Sequence, residues 1–448
     1  MGEGPKPPPN AFAHAQHGLE EAMRLAAAQA AAQTAAQAPH QTPSKPVDST
    51  KDVSPPASPK LAPSGSSERG DRWVDIMDLR HDGRRPTADM ALLDRDLGAL
   101  AADLRPLPSE TRRQMRAFEA VRGLLLGRFP RRPVRLFGSV ANGLSVRGNN
   151  DLDVCLEHDG GEREALGVVA VEVGELLREA GMEQILVLPK ARVPVVKFVV
   201  PLAVVDALLG GAEAQEEGDD ATPPAPPLPL HCDVVINHGL GSVNTKLLAT
   251  YCAVDARLPA LVALVKRWAK ARRVNSPYHG TLSSYAYVLL CVFHLQTRSP
   301  PVLPVLQDME PTFRARVGGW DCAFCDDLSR LRDFGAANRE SLAELLWTFF
   351  EQLAWDPSLN RTVVSVRTGR RLSKASKGWV QRIGTERHLL CIEDPLDTSH
   401  DLGRTVDAQT RGVLHKEFAR AATILRDRDR PLAVLFEPYE PRPEGSRG

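Results

Sequence analysis

A charge imbalance is what this 448-residue chain most plainly lacks: Lys plus Arg and Asp plus Glu number 56 each. No global field therefore draws in nucleic acid, and any such binding must come from local clusters. No run of about 18 apolar residues occurs, so a membrane-spanning helix is not expected and no membrane partner is assigned. The seven cysteines are odd in number and scattered, as in a reducing compartment where thiols act as small hydrophobes rather than disulfide staples. Cys322 and Cys325 have metal-ligand spacing, but no second pair or His couple accompanies them, so Trp320 to Phe324 reads as core packing. Residues 1–71 hold one aromatic, Phe12, and no isoleucine, too little apolar surface to offset chain ordering. They read as a disordered Ala/Gln/Pro/Ser-rich tail. Within it, Leu19 to Gln37 has the composition of a transient Ala-rich helix, with partner docking as the alternative. Thr42-Pro43, Ser54-Pro55 and Ser58-Pro59 fit proline-directed phosphorylation. Arg is sparse in the tail while Glu20, Glu21, Asp48 and Asp52 intrude, against a transit peptide. Lys6 stands where a myristoylation signal needs Ser or Thr. Cytoplasm is the expected location, with nucleus or organelle as alternatives.

What is present divides the rest of the chain. Trp73 to Leu104 reads as short helices broken near Gly83 and Pro86, and residues 72–113 are expected to pack as N-terminal helices on a helical domain. A catalytic domain is placed at 114–243. It contains a helix over Glu110 to Phe129, strands at Val134 to Phe137 and Leu152 to Leu156, a helix around Glu164 to Glu179, and strands at Ile185 to Leu188 and Val193 to Val200. Residues 203–230, acidic and then Pro-rich from Glu213 to Pro229, read as an inserted surface loop with nothing to face a core. Beyond Asp233 the pattern turns helical over 244–440: Thr245 to Lys270, Leu282 to Gln296, Glu340 to Leu353 and Val406 to Arg426. Leu342, Leu345, Leu346, Phe349, Phe350 and Leu353 form one apolar stripe. The predicted class is α+β, a mixed-sheet domain followed by a mainly helical one.

Chemistry concentrates at Leu136-Phe137-Gly138-Ser139 and, after eleven intervening residues, at Asp151-Leu152-Asp153-Val154. Side-chain direction repeats every second residue on a strand, so Asp151 and Asp153 point one way and can share divalent cations, while Leu152, Val154 and Leu156 face a core. A strand ending at Gly138-Ser139 lets backbone N–H groups approach a triphosphate, because glycine has no Cβ to obstruct it. Each motif alone is commonplace. Together they resemble the signature of DNA polymerase β-like nucleotidyltransferases, which also needs a third carboxylate on a neighbouring strand. Asp233, followed by the β-branched run Val234-Val235-Ile236, is the candidate.

The second half carries further blocks in order: Asn244-Thr245-Lys246-Leu247-Leu248, Leu264 through Lys270, Gly280-Thr281-Leu282-Ser283-Ser284-Tyr285, Pro300 through Gln307, and Cys391-Ile392-Glu393-Asp394-Pro395-Leu396-Asp397-Thr398-Ser399-His400-Asp401-Leu402-Gly403-Arg404. They resemble the template-independent terminal uridylyltransferases and their poly(A)-adding relatives, which carry a poly(A) polymerase-associated domain. The resemblance covers roughly residues 110 to 430. It implies a nucleotide in the cleft between the two domains, with Asp151, Asp153 and Asp233 as catalytic residues and ligands of Mg²⁺, or alternatively Mn²⁺. Gly138 and Ser139 would hold phosphate, helped by Lys266 and Lys270, which leave one helix face at i and i+4; a solvated basic face is the other reading. Asn244 would contact the ribose or cap a helix. Ser284 and Tyr285 open an apolar helix, with Tyr285 stacking on a base or packing in a core. Asp394, Asp397 and His400 map near uracil, whose O4 accepts from a histidine donor where adenine presents an amine, unless His400 is only structural.

The resemblance thus implies an enzyme that adds uridylates from UTP to an RNA 3′ end, marking RNA for decay or processing. Its partners would be RNA, UTP and proteins recruited through the tail, and its catalytic core would be monomeric. The family often has Glu where Asp397 stands and Asn where Asp401 stands; a charge at Asp401 is expected to favour a protonated His400. RNA is expected along Arg128, Arg131, Arg132 and Arg135, or along Arg367, Arg370, Arg371, Lys374 and Lys377, either of which reads equally as a solvated loop. The alternatives are an ATP-using poly(A) polymerase, an inert RNA-binding scaffold, or a small-molecule nucleotidyltransferase.

Overall fold

The computed structural model describes residues 86–157, 163–191, 193–210, 229–237, 239–382, 387–427 and 431–440. The Ala-rich tail, the short helices expected between Trp73 and Pro86, and positions 211–228 of the acidic and Pro-rich stretch lie outside the described residues, apart from Pro86 itself. All described elements belong to one compact unit within residues 71–448.

Helix α1 (Met90–Asp103) starts where the Asp89 carboxylate accepts the N–H groups of Ala91 and Leu92. Its Leu93, Leu97 and Ala101 enter the larger of two cores. Helix α2 (Pro108–Arg128) begins with Pro at its first position, where the missing N–H costs nothing, and joins the smaller core through Ala117, Phe118, Val121 and Leu125.

That smaller core lies under a five-stranded sheet. Its strands are β1 (Val134–Phe137), β2 (Asp151–Leu156), β3 (Glu183–Leu188), β4 (Val195–Val200) and β5 (Leu230–Ile236). Their spatial order is β1-β2-β5-β4-β3, antiparallel except for the central β2–β5 pair. Alternation is strict in the centre. Leu152, Val154, Cys232, Val234, Ile236, Val196 and Phe198 are buried against α2 and α4 (Arg163–Glu179), so Asp151, Asp153, His231, Asp233 and Lys197 share the opposite face. A four-residue helix, α3 (Gly138–Ala141), follows β1. Part of the expected insertion is ordered: α5 (Leu202–Leu209) packs on α2, and its Val205, with Val204 in part, does face a core.

The second half is built on α6 (Gly239–Val254), α7 (Arg257–Ala271), α8 (Ser284–Gln296), α10 (Leu342–Trp355) and α11 (Ala408–Asp427). The single helix expected over Thr245 to Lys270 is two, meeting at 115°. Pro259 explains the break: a proline is tolerated only in a helix's first turn, so α7 must begin just before it. The Leu342–Leu353 stripe packs inward as expected, started by a capping box in which Ser341 and Glu344 exchange hydrogen bonds. Helix α1 lies against α10 and α7, and the Asp94 carboxylate accepts the N–H of Ala343.

Two small sheets were not foreseen in this half. One is the hairpin β6 (Phe313–Val317) and β7 (Trp320–Phe324); the other comprises β8 (Thr362–Ser365), β9 (Arg370–Ser373) and β10 (Cys391–Ile392). Cys322 and Cys325 are both buried in the large core, the packing role expected of them. The short α9 (Leu328–Leu331) and α12 (Pro431–Leu435) complete the α-helices among the described residues, beside short 3-10 turns at Pro277–His279, Phe334–Ala337 and Pro357–Asn360. Among the described residues no single helix is long and apolar enough to cross a membrane.

Candidate active site

The register of the central strands assembles the acids. Asp151 pairs with His231 and Asp153 with Asp233 on parallel neighbours, so three carboxylates project from one face of β2 and β5. Burial and the charges of Asp233 and Asp151 push the Asp153 carboxyl up from its ordinary 3.8 to about 6, while Lys197 and Lys266 act the other way. Lys197 is the cross-strand partner of Asp233 on β4, and its ammonium forms an ion pair with that carboxylate. Sequence reasoning missed Lys197; the signal was its alternation with Val196 and Phe198, which puts it on the polar face. His231, exposed beside Asp151, was missed for the same reason.

Gly138 closes one side. Its φ of +75° is the left-handed region, and a Cβ there would stand 2.1 Å from Asp153 Oδ2, so any other residue would displace the carboxylate. Its N–H is donated to Thr245 Oγ1 at 3.0 Å, and Thr245 in turn donates to the Gly241 carbonyl at 2.9 Å. The Ser139 hydroxyl accepts a 3.4 Å contact from the Asn149 amide.

Lys266 reaches the same corner, its Nζ donating to the Leu144 carbonyl at 2.6 Å. Burial lowers its pKa to about 8, against the opposing effect of Cys252, Cys291 and Asp153. Lys270, one turn further on, is exposed.

Asn244 lies in the second turn of α6, so the N-cap alternative is overturned: the helix starts at Gly239. Instead its side chain hydrogen-bonds Tyr285. Tyr285 donates to Asp394 Oδ2 at 3.2 Å, and burial with the adjacent Asp394 charge raises its phenol well above 10. Ser284 is exposed at the first turn of α8, and Ser283 caps that helix. Asp394 Oδ1 accepts the N–H groups of Leu396 at 2.9 Å and Asp397 at 3.0 Å, and the His400 N–H is donated to the Asp397 carbonyl at 2.9 Å. These bonds fold Asp394, Asp397 and His400 into one tight loop that reaches Tyr285 and Asn244. Asp401 belongs elsewhere. Its carboxylate is buried, taking His388 Nδ1 at 2.8 Å and the N–H groups of Ile392 and Gly403, so its charge is committed to His388 instead of serving His400.

Both expected RNA tracks change character. In the second, Arg367 and Lys377 pair with buried Glu393, Arg371 with Asp356, and buried Lys374 with the His388 carbonyl; Arg370 is exposed. That run is scaffold because the β8–β9 hairpin turns its cations inward. Arg128, Arg131, Arg132 and Arg135 stand at the end of β1 where Val134 pairs with Leu156, the opposite end from Asp151.

The acids fit divalent cations: mutual repulsion at Asp153 is relieved by positive charge, and Lys197 already supplies some. Among the described residues, the three donors whose ligand atoms all lie within 4.8 Å of one another are His388, Cys391 and Asp401. The aspartates are spread wider, with Asp233 engaged by Lys197. In the tighter trio the Cys391 thiol donates to the His388 carbonyl at 3.2 Å and is raised by burial and Asp401, and Lys374 brings its own cation to that carbonyl. It is a hydrogen-bonded support.

Two family models match the chain: the mitochondrial-like poly(A) RNA polymerase central palm domain over residues 93–253, and the Cid1 family poly A polymerase domain over 341–400. The terminal uridylyltransferase cid1 of Schizosaccharomyces pombe is 34% identical over 322 residues, 68% of this chain and 73% of that protein. The poly(A) RNA polymerase cid11 of the same yeast is 29% identical over 366 residues, 81% of this chain and 68% of its own length. A crystal structure of the Cid1 poly(U) polymerase with Mg and 3′-dATP bound, described as revealing the mechanism for UTP selectivity, superposes with a TM-score of 0.66 at 30% identity. The match covers 78% of this chain and 99% of that one.

Proposed function

The chain belongs to the terminal uridylyltransferase and poly(A) polymerase family, nucleotidyltransferases that extend RNA 3′ ends without a template, and on that premise we propose that it transfers uridylate from UTP, using Mg²⁺. The observation that carries this reading is the register of Asp153 opposite Asp233 beside Asp151, with Gly138 packed against the middle carboxylate.

Asp151, Asp153 and Asp233 would hold the cations, which when bound lower the pKa of the attacking 3′-hydroxyl and neutralise the departing pyrophosphate. The chain's own residues do the rest. Gly138 keeps the floor of the site flat, so that a triphosphate can approach Asp153 closely. Lys266, still mainly protonated at neutral pH although burial lowers it to about 8, offers a positive charge on the phosphate side of the acids. Lys197 balances Asp233 on the opposite side, where the RNA terminus would enter. Tyr285, fixed by Asp394 and Asn244, presents a ring edge-bounded by the base-side loop, and base stacking of this kind contributes about 1 to 3 kcal/mol. His400, at the end of that loop, would donate to uracil O4 and leave an adenine amine facing a donor. Uridine tails added in this way would mark RNA for decay or processing.

The test is extension of one labelled RNA primer with each of the four nucleoside triphosphates and Mg²⁺. UTP is expected to be used at least tenfold more efficiently than ATP. Preferential ATP use would make the protein a poly(A) polymerase, the activity named for its cid11 relative, and absence of any extension would remove the reading altogether.

A further inference from the structure

The base-side loop stands on two buried acids. Glu393 and Asp401 face each other across an isolated antiparallel bridge that closes the loop at its neck, and each is only 1% exposed. Buried carboxylates are costly unless paired. Asp401 is satisfied by His388 and two backbone N–H groups. Glu393 receives Ser365 Oγ at 2.5 Å, Lys377 Nζ at 2.8 Å and Arg367 Nη2 at 3.3 Å.

Lys377 does more than neutralise Glu393. Its ammonium also donates to the Thr398 carbonyl, at the crown of the loop between Asp397 and His400. It lies 4.9 Å over the Trp379 ring, which stacks on His388 at 5.3 Å with the planes 2° apart, and His388 holds Asp401. One cation thus touches the crown, one side of the neck directly and the other side through two stacked rings. The turn after β9 aims it there: the N–H groups of Lys377 and Trp379 both return to the Lys374 carbonyl.

We propose that Lys377 is a positioning residue for nucleotide choice, setting the height of the Asp397–His400 crown against the incoming base. This rests on the proposed reading of His400 as the base-side donor. The Lys377 ammonium is taken up by Glu393, the Thr398 carbonyl and the Trp379 ring, so it would act on the base through the loop. Removing its ammonium leaves Glu393 with Arg367 and Ser365, so the neck keeps its charge balance while the Thr398 carbonyl is released.

Lys377→Met should therefore lower the UTP-to-ATP ratio of kcat/KM about tenfold, as expected for loss of one charge-assisted hydrogen bond. The change should appear in the KM for UTP, with kcat at saturating UTP and the KM for RNA primer within about twofold of wild type. Lys377→Arg, which keeps the charge, should restore most of the preference. A merely structural role would lower kcat and thermal stability together and leave the nucleotide ratio unmoved, and that result overturns the proposal. If Lys377→Met does not fold, Lys377→Gln is judged by the same ratio. A wild-type protein that extends no RNA defeats the parent reading; a wild type that prefers UTP alongside a Lys377→Met variant with the same preference defeats this inference alone.

Discussion

Replacing Asp153 by Asn should make the metal-free protein more stable while destroying its activity. The carboxyl sits at about 6 instead of 3.8, first because it is buried and then because Asp233 and Asp151 repel its charge. Between those two values the folded protein holds a proton that the unfolded chain has released, so stability falls as pH rises through this window and the penalty is complete above it. A shift of roughly two units at about 1.4 kcal/mol each amounts to about 3 kcal/mol at pH 7.5. Partial exposure of neighbouring Asp233 and Lys197 screens some of it, so a gain of about 2 kcal/mol for the variant is a fair expectation. Asp153→Asn keeps the shape and removes the charge. Urea unfolding in EDTA at pH values from 4 to 8 measures the difference, which should be near zero at the acid end, grow through pH 6 and stay level beyond. Added Mg²⁺ should stabilise the wild type and not the variant. A variant that is less stable than wild type at pH 7.5, or a difference independent of pH, refutes the electrostatic account of this site.

Three further outcomes follow from the geometry. Gly138→Ala forces a side chain into left-handed backbone against Asp153 Oδ2, and should cost at least about 2 kcal/mol in unfolding free energy together with nearly all primer extension. Lys197→Met removes the cation that competes for Asp233; Mn²⁺ titration by calorimetry should show severalfold tighter binding, and an unchanged or weaker affinity would contradict that role. His400→Ala should reduce the UTP-over-ATP ratio of kcat/KM by at least about tenfold without loss of the fold, read from initial rates and thermal melting.

The sheet was legible because its strands are short and apolar, with alternation where Asp151 and Asp153 flank Leu152: Val134 to Phe137 is placed to the residue, and β2, β3 and β4 within about two positions, as periodicity allows. Asp233 could be singled out because the β-branched run Val234-Val235-Ile236 beside it marks a central strand, although the strand begins earlier, at Leu230, and Asp233 stands at its middle. Its pairing opposite Asp153 is a matter of register, which no local pattern contains. The bend between α6 and α7 was written in Pro259 and overlooked because the apolar period runs through it. The hairpins were signalled by Gly318-Gly319 and Gly369, all at positive φ, and by the alternation of Phe313, Ala315 and Val317 with Arg314 and Arg316, but strands of only four or five residues are easily passed over between longer helical periods. The inward turn of Arg367, Arg371, Lys374 and Lys377 was invisible for a different reason: their partners Asp356, His388 and Glu393 lie elsewhere in the sequence, so a run of cations reads as surface until the fold supplies the acids.

The centre itself can be seen directly. Crystals soaked with Mn²⁺ and a non-hydrolysable UTP analogue, measured at an energy where manganese scatters anomalously, should show density bounded by Asp151, Asp153 and Asp233 with the triphosphate against Gly138. Manganese bound instead at His388, Cys391 and Asp401, with the aspartates bare, would contradict the assignment.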